Sequence, residues 1–255
     1  MTTTTQPTRA KTTATKGVPM DSLRKTALVA GLLYVITFVS IPTLVLYGPV
    51  LSNPNYIVGP GPDTAVIIGG ILEVIVALAG VGTAVALYPV VKRQNEGAAL
   101  GFVASRTMEA AAIVAGVVSL LSLVTLRQSG AGAGALPTGQ ALAASYNWFF
   151  LLGQSLMPVM NALLLGSLLY RSRLVPRILP LVGLIGAPLL LASDIAVLFG
   201  LWDRISAPSG ILALPIAAWE FSLGIYLLVK GFKPSPVTAG MTATSTRPSS
   251  QDAAV

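Results

Sequence analysis

The chain has 255 residues, 54% of them hydrophobic and 10% charged, with 16 Lys and Arg against 9 Asp and Glu for a formal net charge of +7. With a mean hydropathy of +0.78, these values exclude an ordinary soluble domain and point to an integral membrane protein. The absence of Cys and His removes disulfide frameworks, thiolate nucleophiles, imidazole bases and the usual zinc and haem ligand sets together, so neither a metal nor a cofactor is expected.

Residues 1–22 carry eight threonines in the first sixteen positions, with Arg9, Lys11 and Lys16. Such a composition cannot bury a core and predicts a disordered tail. The apolar run 26–46 that comes next is too long for a signal-peptide core and has no A-x-A-like site behind it. At 1.5 Å per residue it spans about 30 Å of hydrocarbon, which makes it the first transmembrane helix. Residues 47–63 are rich in Pro, Gly and Asn and lack Lys and Arg, so they predict a loop.

A second helix is predicted over 64–91, a charged turn over Lys92-Arg93-Gln94-Asn95-Glu96, and a third helix over 97–126. The Gly/Ala-rich stretch 127–145 predicts a flexible loop. A fourth helix over 146–170 opens on Tyr146, Trp148, Phe149 and Phe150 and meets Pro158 near its middle. Proline at membrane depth is tolerated where neighbouring helices satisfy the freed carbonyl. Arg171, Arg173 and Arg177 mark the next turn, ahead of helices over 178–201 and 211–229. The Pro/Ser/Thr-rich segment 233–255 predicts a second disordered tail. The expected fold is therefore an all-α polytopic membrane bundle over 23–232, with six transmembrane helices.

Charge then orients it. If the N-terminus is cytoplasmic, the inner segments carry thirteen of the Lys and Arg residues, and the outer loops carry Arg127 and Arg204 alone. By the positive-inside rule both termini are expected in the cytoplasm. Because the cations lie at membrane edges rather than on one face, they argue for a lipid bilayer as the partner and against nucleic acid.

The sixteenth cation, Arg106, lies inside the third helix, three residues before Glu109, and further acids interrupt the apolar segments at Glu73, Asp194 and Glu220. An ionised group at the bilayer centre costs roughly 2.5–3.5 kcal/mol on insertion scales, so each of these needs an internal partner. Counting from the predicted helix ends puts all four acids in the middle third of the bilayer. Each of three sits among small residues: Glu73 with Gly69, Ala77 and Gly80; Glu109 with Ser105, Ala112 and Gly116; Glu220 with Ala213, Ala217 and Gly224. Small neighbours permit close helix contact, so these faces are expected to point into the bundle. Gln154 and Asn161, seven residues apart on the fourth helix, are expected on one face.

Two readings are open. In the first, Glu73, Arg106, Glu109, Asp194, Glu220 and Asn161 form a midplane cluster, with Arg106 as its hub, that binds a proton, a cation or a small polar ligand. In the second, the protein is structural or accessory, acts through a partner, and uses its buried charges only for helix packing. No catalytic residue is expected, since the chain lacks the activated serine, His-based metal site or aspartate pair of intramembrane hydrolases.

Arg24-Lys25-Thr26-Ala27 with Ala30-Gly31-Leu32-Leu33-Tyr34, the unit Arg106-Thr107-Met108-Glu109, and Leu169-Tyr170-Arg171-Ser172 with Leu174-Val175-Pro176-Arg177 stand in this order along the chain. With them the chain resembles, over roughly 22–232, the bacterial membrane family called domain of unknown function 4386. The resemblance implies an inner-membrane protein of about six helices with no assigned activity, in which Arg106 and Glu109 occupy the family's Arg-x-x-Glu pair. It also implies a start close to Met20, from which the Thr-rich beginning departs.

Overall fold

The computed structural model describes residues 22–239, so the predicted tail 1–22 lies almost entirely outside the described residues, as do positions 240–255 of the second tail. Among the described residues, six helical segments are long and apolar enough to cross a membrane: Ser22–Leu46, Asp63–Val91, Glu96–Gln128, Ala133–Ser172, Ile178–Leu198 and Ala207–Val229. No strand occurs among the described residues, and the all-α bundle with six candidate spans expected from hydropathy is what is found. Three of the segments depart from the predicted helices in ways that matter for the interior.

The first span is not one helix. α1 (Ser22–Ile36) passes into a 3-10 turn at Thr37–Ser40 and restarts as the short α2 (Thr43–Leu46) and α3 (Gly48–Leu51). Pro42 has no N–H to donate, which breaks the ladder at this point. Hydroxyls meet the carbonyls around the break: Thr37 Oγ1 donates to the Tyr34 carbonyl at 2.6 Å, and Thr43 Oγ1 to that of Ser40 at 2.6 Å.

α4 (Asp63–Val91) and α5 (Glu96–Gln128) are long and uninterrupted. Asn95 caps α5, its side chain accepting from the Ala98 N–H at 2.9 Å. The stretch 127–145, predicted as a flexible loop, is mostly helical. Gly130 and Gly132 turn the chain at φ +67° and +69°, values that favour glycine. α6 (Leu136–Phe149) then starts with proline in its first turn.

A π-helical segment, Phe150–Ser155, joins α6 to α7 (Leu156–Ser172). Pro158 was the expected interruption, and it acts one turn earlier than its own position. Its ring clashes with the carbonyl four residues back, and widening the preceding turn relieves that clash. α8 (Ile178–Leu198) ends three residues sooner than predicted, before a turn at Gly200 with φ +71°. α9 (Ala207–Val229) completes the set, its first turn capped by Ser206.

The spans form a closed ring in chain order: α1 packs on α4, α4 on α5, α5 on α6 and α7, α7 on α8, α8 on α9, and α9 returns to α1. That last seam is backbone-close. A Cβ added at Gly31 would lie 2.7 Å from the Gly224 carbonyl oxygen. Arg24 ties the same seam by donating to the carbonyls of Leu227 (3.1 Å) and Leu228 (2.7 Å) at the end of α9.

The two ends of the bundle differ. One, here the basic end, gathers the start of α1, the end of α9 and the turns 92–95 and 173–177. There the segment 233–239, predicted as disordered, docks: Lys233 N–H donates to the Leu174 carbonyl at 2.7 Å and Ser235 Oγ to that of Ser172 at 2.7 Å. These bonds satisfy carbonyls at the end of α7 that no helix partner reaches.

At the opposite, loop-rich end, Tyr47, Val50, Tyr56, Val66, Leu120, Leu123, Val124 and Tyr146 form a second apolar cluster. Arg127 fastens it, donating from Nε to Asp63 Oδ1 at 2.6 Å, pairing with Asp63 Oδ2 through Nη2, and donating from Nη1 to the Gly59 carbonyl at 2.9 Å. Tyr56 Oη donates to Asp63 Oδ1 at 2.6 Å beneath it.

Candidate functional site

The inside of the ring is polar in two tiers. At 1.5 Å per residue from the basic end of each helix, Glu220, Arg106, Asn161 and Glu109 lie about 14–20 Å deep, whereas Asp194, Ser155, Gln154 and Glu73 lie about 24–27 Å deep. The six residues expected in one midplane cluster are thus divided between these levels.

The lower tier centres on Arg106. Its Nη1 donates to Glu109 Oε2 at 3.0 Å and Oε1 at 3.3 Å on the same helix, and its Nη2 pairs with Glu220 Oε1 on α9. Asn161 Nδ2, from α7, donates to Glu109 Oε2 at 2.7 Å. The guanidinium carbon lies 5.5 Å from the Tyr34 ring centroid and 5.8 Å from that of Phe102. A cation against aromatic faces gains electrostatically where water is excluded. Gly80 of α4 faces the arginine, where an added Cβ would reach ordinary contact with Arg106 Cδ at 3.9 Å.

The upper tier holds two acids with separate partners. Glu73, fully buried, accepts from Tyr146 Oη at 2.9 Å and from Gln154 Nε2 at 3.2 Å. Asp194 accepts from Ser155 Oγ at 2.5 Å through Oδ1, while its Oδ2 is buried with no hydrogen-bond partner. Both donors, Gln154 and Ser155, stand on the π segment. Gln154 and Asn161 serve different tiers because seven residues separate them by about 10 Å along the axis, and an extra residue in the intervening turn rotates one relative to the other by about 100°, off the single face predicted. Gly153 lets this segment approach α5, since a Cβ there would sit 2.3 Å from that of Ala112.

A cavity of about 320 Å³ connects the tiers. Arg106, Glu109 and Glu220 form one part of its wall, and Gln154, Ser155 and Asp194 another. Of the predicted site residues, Arg106, Glu109, Asp194 and Glu220 therefore face one chamber, whereas Glu73 reaches it through Gln154 and Asn161 through Glu109. Among the described residues no three acids converge closely enough for a bare metal ion.

Ser155, Tyr34 and Arg204 belong to this site although the sequence did not place them there; Tyr34 stood only in a motif that carries the family resemblance. Arg204, expected as a cation of an outer loop, turns inward into the cavity wall. It lies 4.3 Å from the Phe150 ring centroid and 5.4 Å from that of Tyr146, and its Nε donates to Asn147 Oδ1 at 2.8 Å. Burial lowers its pKa from the ordinary guanidinium value, opposed by the electrostatics of Tyr146 and Glu73. The inward turn depends on the Phe150 face, and the ring order brings that face to it.

No curated protein and no solved structure matches the chain. A family model does, over residues 29–231, a range that takes in every residue of both tiers and almost the whole of the six candidate spans. It carries the description that the motifs around Arg24, Arg106 and Arg177 suggested. The chain belongs to the family described as Domain of unknown function (DUF4386).

Proposed function

We propose that this protein is a non-enzymatic, multi-pass protein of a bacterial inner membrane that holds a small cationic ligand in its central cavity. One observation carries the reading: Asp194 is only 7% exposed, lines the cavity, and has an unpartnered oxygen and no cation beside it. A buried carboxylate without a counter-charge is unfavourable, and intramembrane acids of this kind mark ligand or ion sites. The two cations in the wall are already engaged, Arg106 by Glu109 and Glu220, and Arg204 by Asn147 and the Phe150 ring. The volume lies at the small end of the range for ligand pockets. The complementary group is an ammonium.

The test is thermal unfolding of the purified protein in lipid nanodiscs with primary amines from ethylamine to octylamine. Stabilisation by at least one amine in the wild type, lost in Asp194→Asn, is the expected result. If no amine stabilises the wild type, the reading fails.

A second reading, an accessory protein that acts through a partner and uses buried charge only for packing, draws on the lower tier. There Arg106, Glu109, Glu220 and Asn161 bind one another across three helices. Constant co-purification of one partner, together with amine-insensitive unfolding, would favour it.

The proposal includes cytoplasmic termini, supported by the cations of the basic end. The cysteine-free chain makes this simple to test. In whole cells, a cysteine replacing Asn53 is expected to react with a membrane-impermeant maleimide and one replacing Lys92 is not; the reverse pattern would invert the topology.

A further inference from the structure

The ring of helices is sealed unevenly. At the basic end α1 packs against both α4 and α9, but beyond its break the segment 37–46 leans chiefly on α4. The facing part of α9 leans the other way. A Cβ added at Gly186 of α8 would lie 2.9 Å from Pro215, and one at Gly183 would lie 2.4 Å from the Trp219 ring. A seam is left between 37–41 and 209–217. The edge-to-face contact of Phe38 with Phe221, 5.2 Å between centroids, closes it on the basic side.

The cavity reaches this seam. Thr37, Phe38 and Ile41 form its wall on one lip, and Gly210, Ala213 and Ala217 on the other. Ile41 is 58% exposed, and a Cβ at Gly210 would meet open space. The surface outside is apolar on both lips, with Val45 78% exposed beside Ile41, and Ile211 and Leu214 exposed along α9. An exposed apolar surface on a spanning helix faces hydrocarbon. The opening is therefore lateral, from a partly charged chamber into the bilayer.

We infer that the ligand of the cavity is an amphiphile that enters sideways from the membrane, its ammonium head against Asp194 and its alkyl chain along the seam between residues 37–41 and 209–217. This rests on the reading of the cavity as a cation site and adds the nature of the rest of the molecule. Geometry and charge agree on it. The chamber is small, the buried Asp194 Oδ2 in its wall has no hydrogen-bond partner, and its side exit is lined mostly by apolar side chains, with the hydroxyls of Thr37, Ser40 and Ser209 among them. A head bearing N–H donors satisfies that oxygen, and the chain keeps its apolar surface in an apolar surround.

The experiment uses the full chain in phosphatidylcholine nanodiscs, with octylamine, ethylamine and octanoate as probes and the unfolding midpoint as readout. Octylamine is expected to stabilise the wild type at a concentration at least about tenfold below that needed for ethylamine, since methylene burial adds to affinity. Asp194→Asn removes the effect and serves as the control for partitioning into lipid. Equal, Asp194-dependent responses to both amines would overturn the lateral route and leave the cation site standing. Stabilisation by octanoate in place of octylamine would overturn the charge assignment, and no response to any probe would overturn both.

Gly210→Trp is the second variant. It places an indole in the mouth of the cavity, at a position where an added Cβ meets no atom of the fold within 4 Å. The fold is expected to persist and the octylamine response to be lost; an undiminished response overturns the inference.

Discussion

Arg106 on α5 and Glu220 on α9 form an ion pair across the interior of the ring, 114 positions apart in the chain, while the same guanidinium holds Glu109 three residues away. One cation thus joins a local contact to a long-range one. With its side chain 2% exposed and those of the two acids 10% and 12%, water contributes little to the balance. Removing the arginine leaves the buried Glu109 and the partly buried Glu220 without a counter-charge, a change that costs up to roughly 3–5 kcal/mol. Arg106→Ala is therefore expected to lose stability on that scale in reversible unfolding from nanodiscs. Adding Glu109→Gln and Glu220→Gln should recover part of the loss. An Arg106→Ala variant as stable as the wild type would contradict the arrangement.

The α1–α9 crossing tolerates no side chain at Gly31, where a Cβ would meet the Gly224 carbonyl oxygen at 2.7 Å and the Leu228 nitrogen at 2.8 Å. Both are backbone atoms, so relief requires the helices to separate, as in other overpacked interiors that lose about 1–3 kcal/mol. Gly31→Ala should lower the unfolding midpoint despite alanine's better helix propensity. Gly48→Ala, with nothing within 4 Å, is the matched control and should leave it unchanged.

At the loop-rich end, the Arg127–Asp63 pair closes the segment 53–62 over the second apolar cluster without contributing to either tier. Arg127→Ala is expected to speed amide exchange in 53–62 while exchange in α4, α5 and α7 stays slow. Its effect on global stability should be modest, about 1 kcal/mol, because the pair is partly solvated. Uniform acceleration of exchange across all helices would refute a local latch.

The same latch carries a pH dependence through Tyr56. Burial first, and then its hydrogen bond to Asp63, raise the phenol above its ordinary pKa, with Arg127 acting in the opposite sense. A raised pKa means that the contribution is fully present below the unfolded value, near about 10, and is lost as pH rises through the folded one. The protection of 53–62, its exchange measured against that of an unfolded peptide at the same pH, should therefore fall above about pH 10 in the wild type. Tyr56→Phe cannot ionise at this position and should show no such alkaline onset. An identical onset in both proteins would assign it to another group.

Hydropathy and the Arg106-Thr107-Met108-Glu109 unit together made the six spans and the family legible, because both are carried by consecutive residues. The breaks were less legible. Pro42 and Pro158 were visible as prolines, but whether each gives a 3-10 turn, a π segment or a kink depends on the neighbouring helices that supply or withhold partners. The stretch 127–145 looked flexible from its glycines, yet Gly130 and Gly132 serve only to turn the chain, and the rest is held by Arg127 and the apolar cluster under Tyr56.

The sequence by itself determined that this is a membrane bundle of six helices with an arginine and four acids set within its apolar segments, since chain length, apolar runs and the desolvation cost of a charge are local properties. Only the tertiary structure decided who meets whom. Arg106 finds Glu220 because α9 closes the ring against α1, Gln154 and Ser155 reach Glu73 and Asp194 because a π segment turns them there, and Asp194, in the cavity wall, keeps one buried oxygen without a partner. Those outcomes depend on helix order and rotation, to which a pattern of apolar residues is nearly blind, because every side of a spanning helix meets either lipid or another apolar helix.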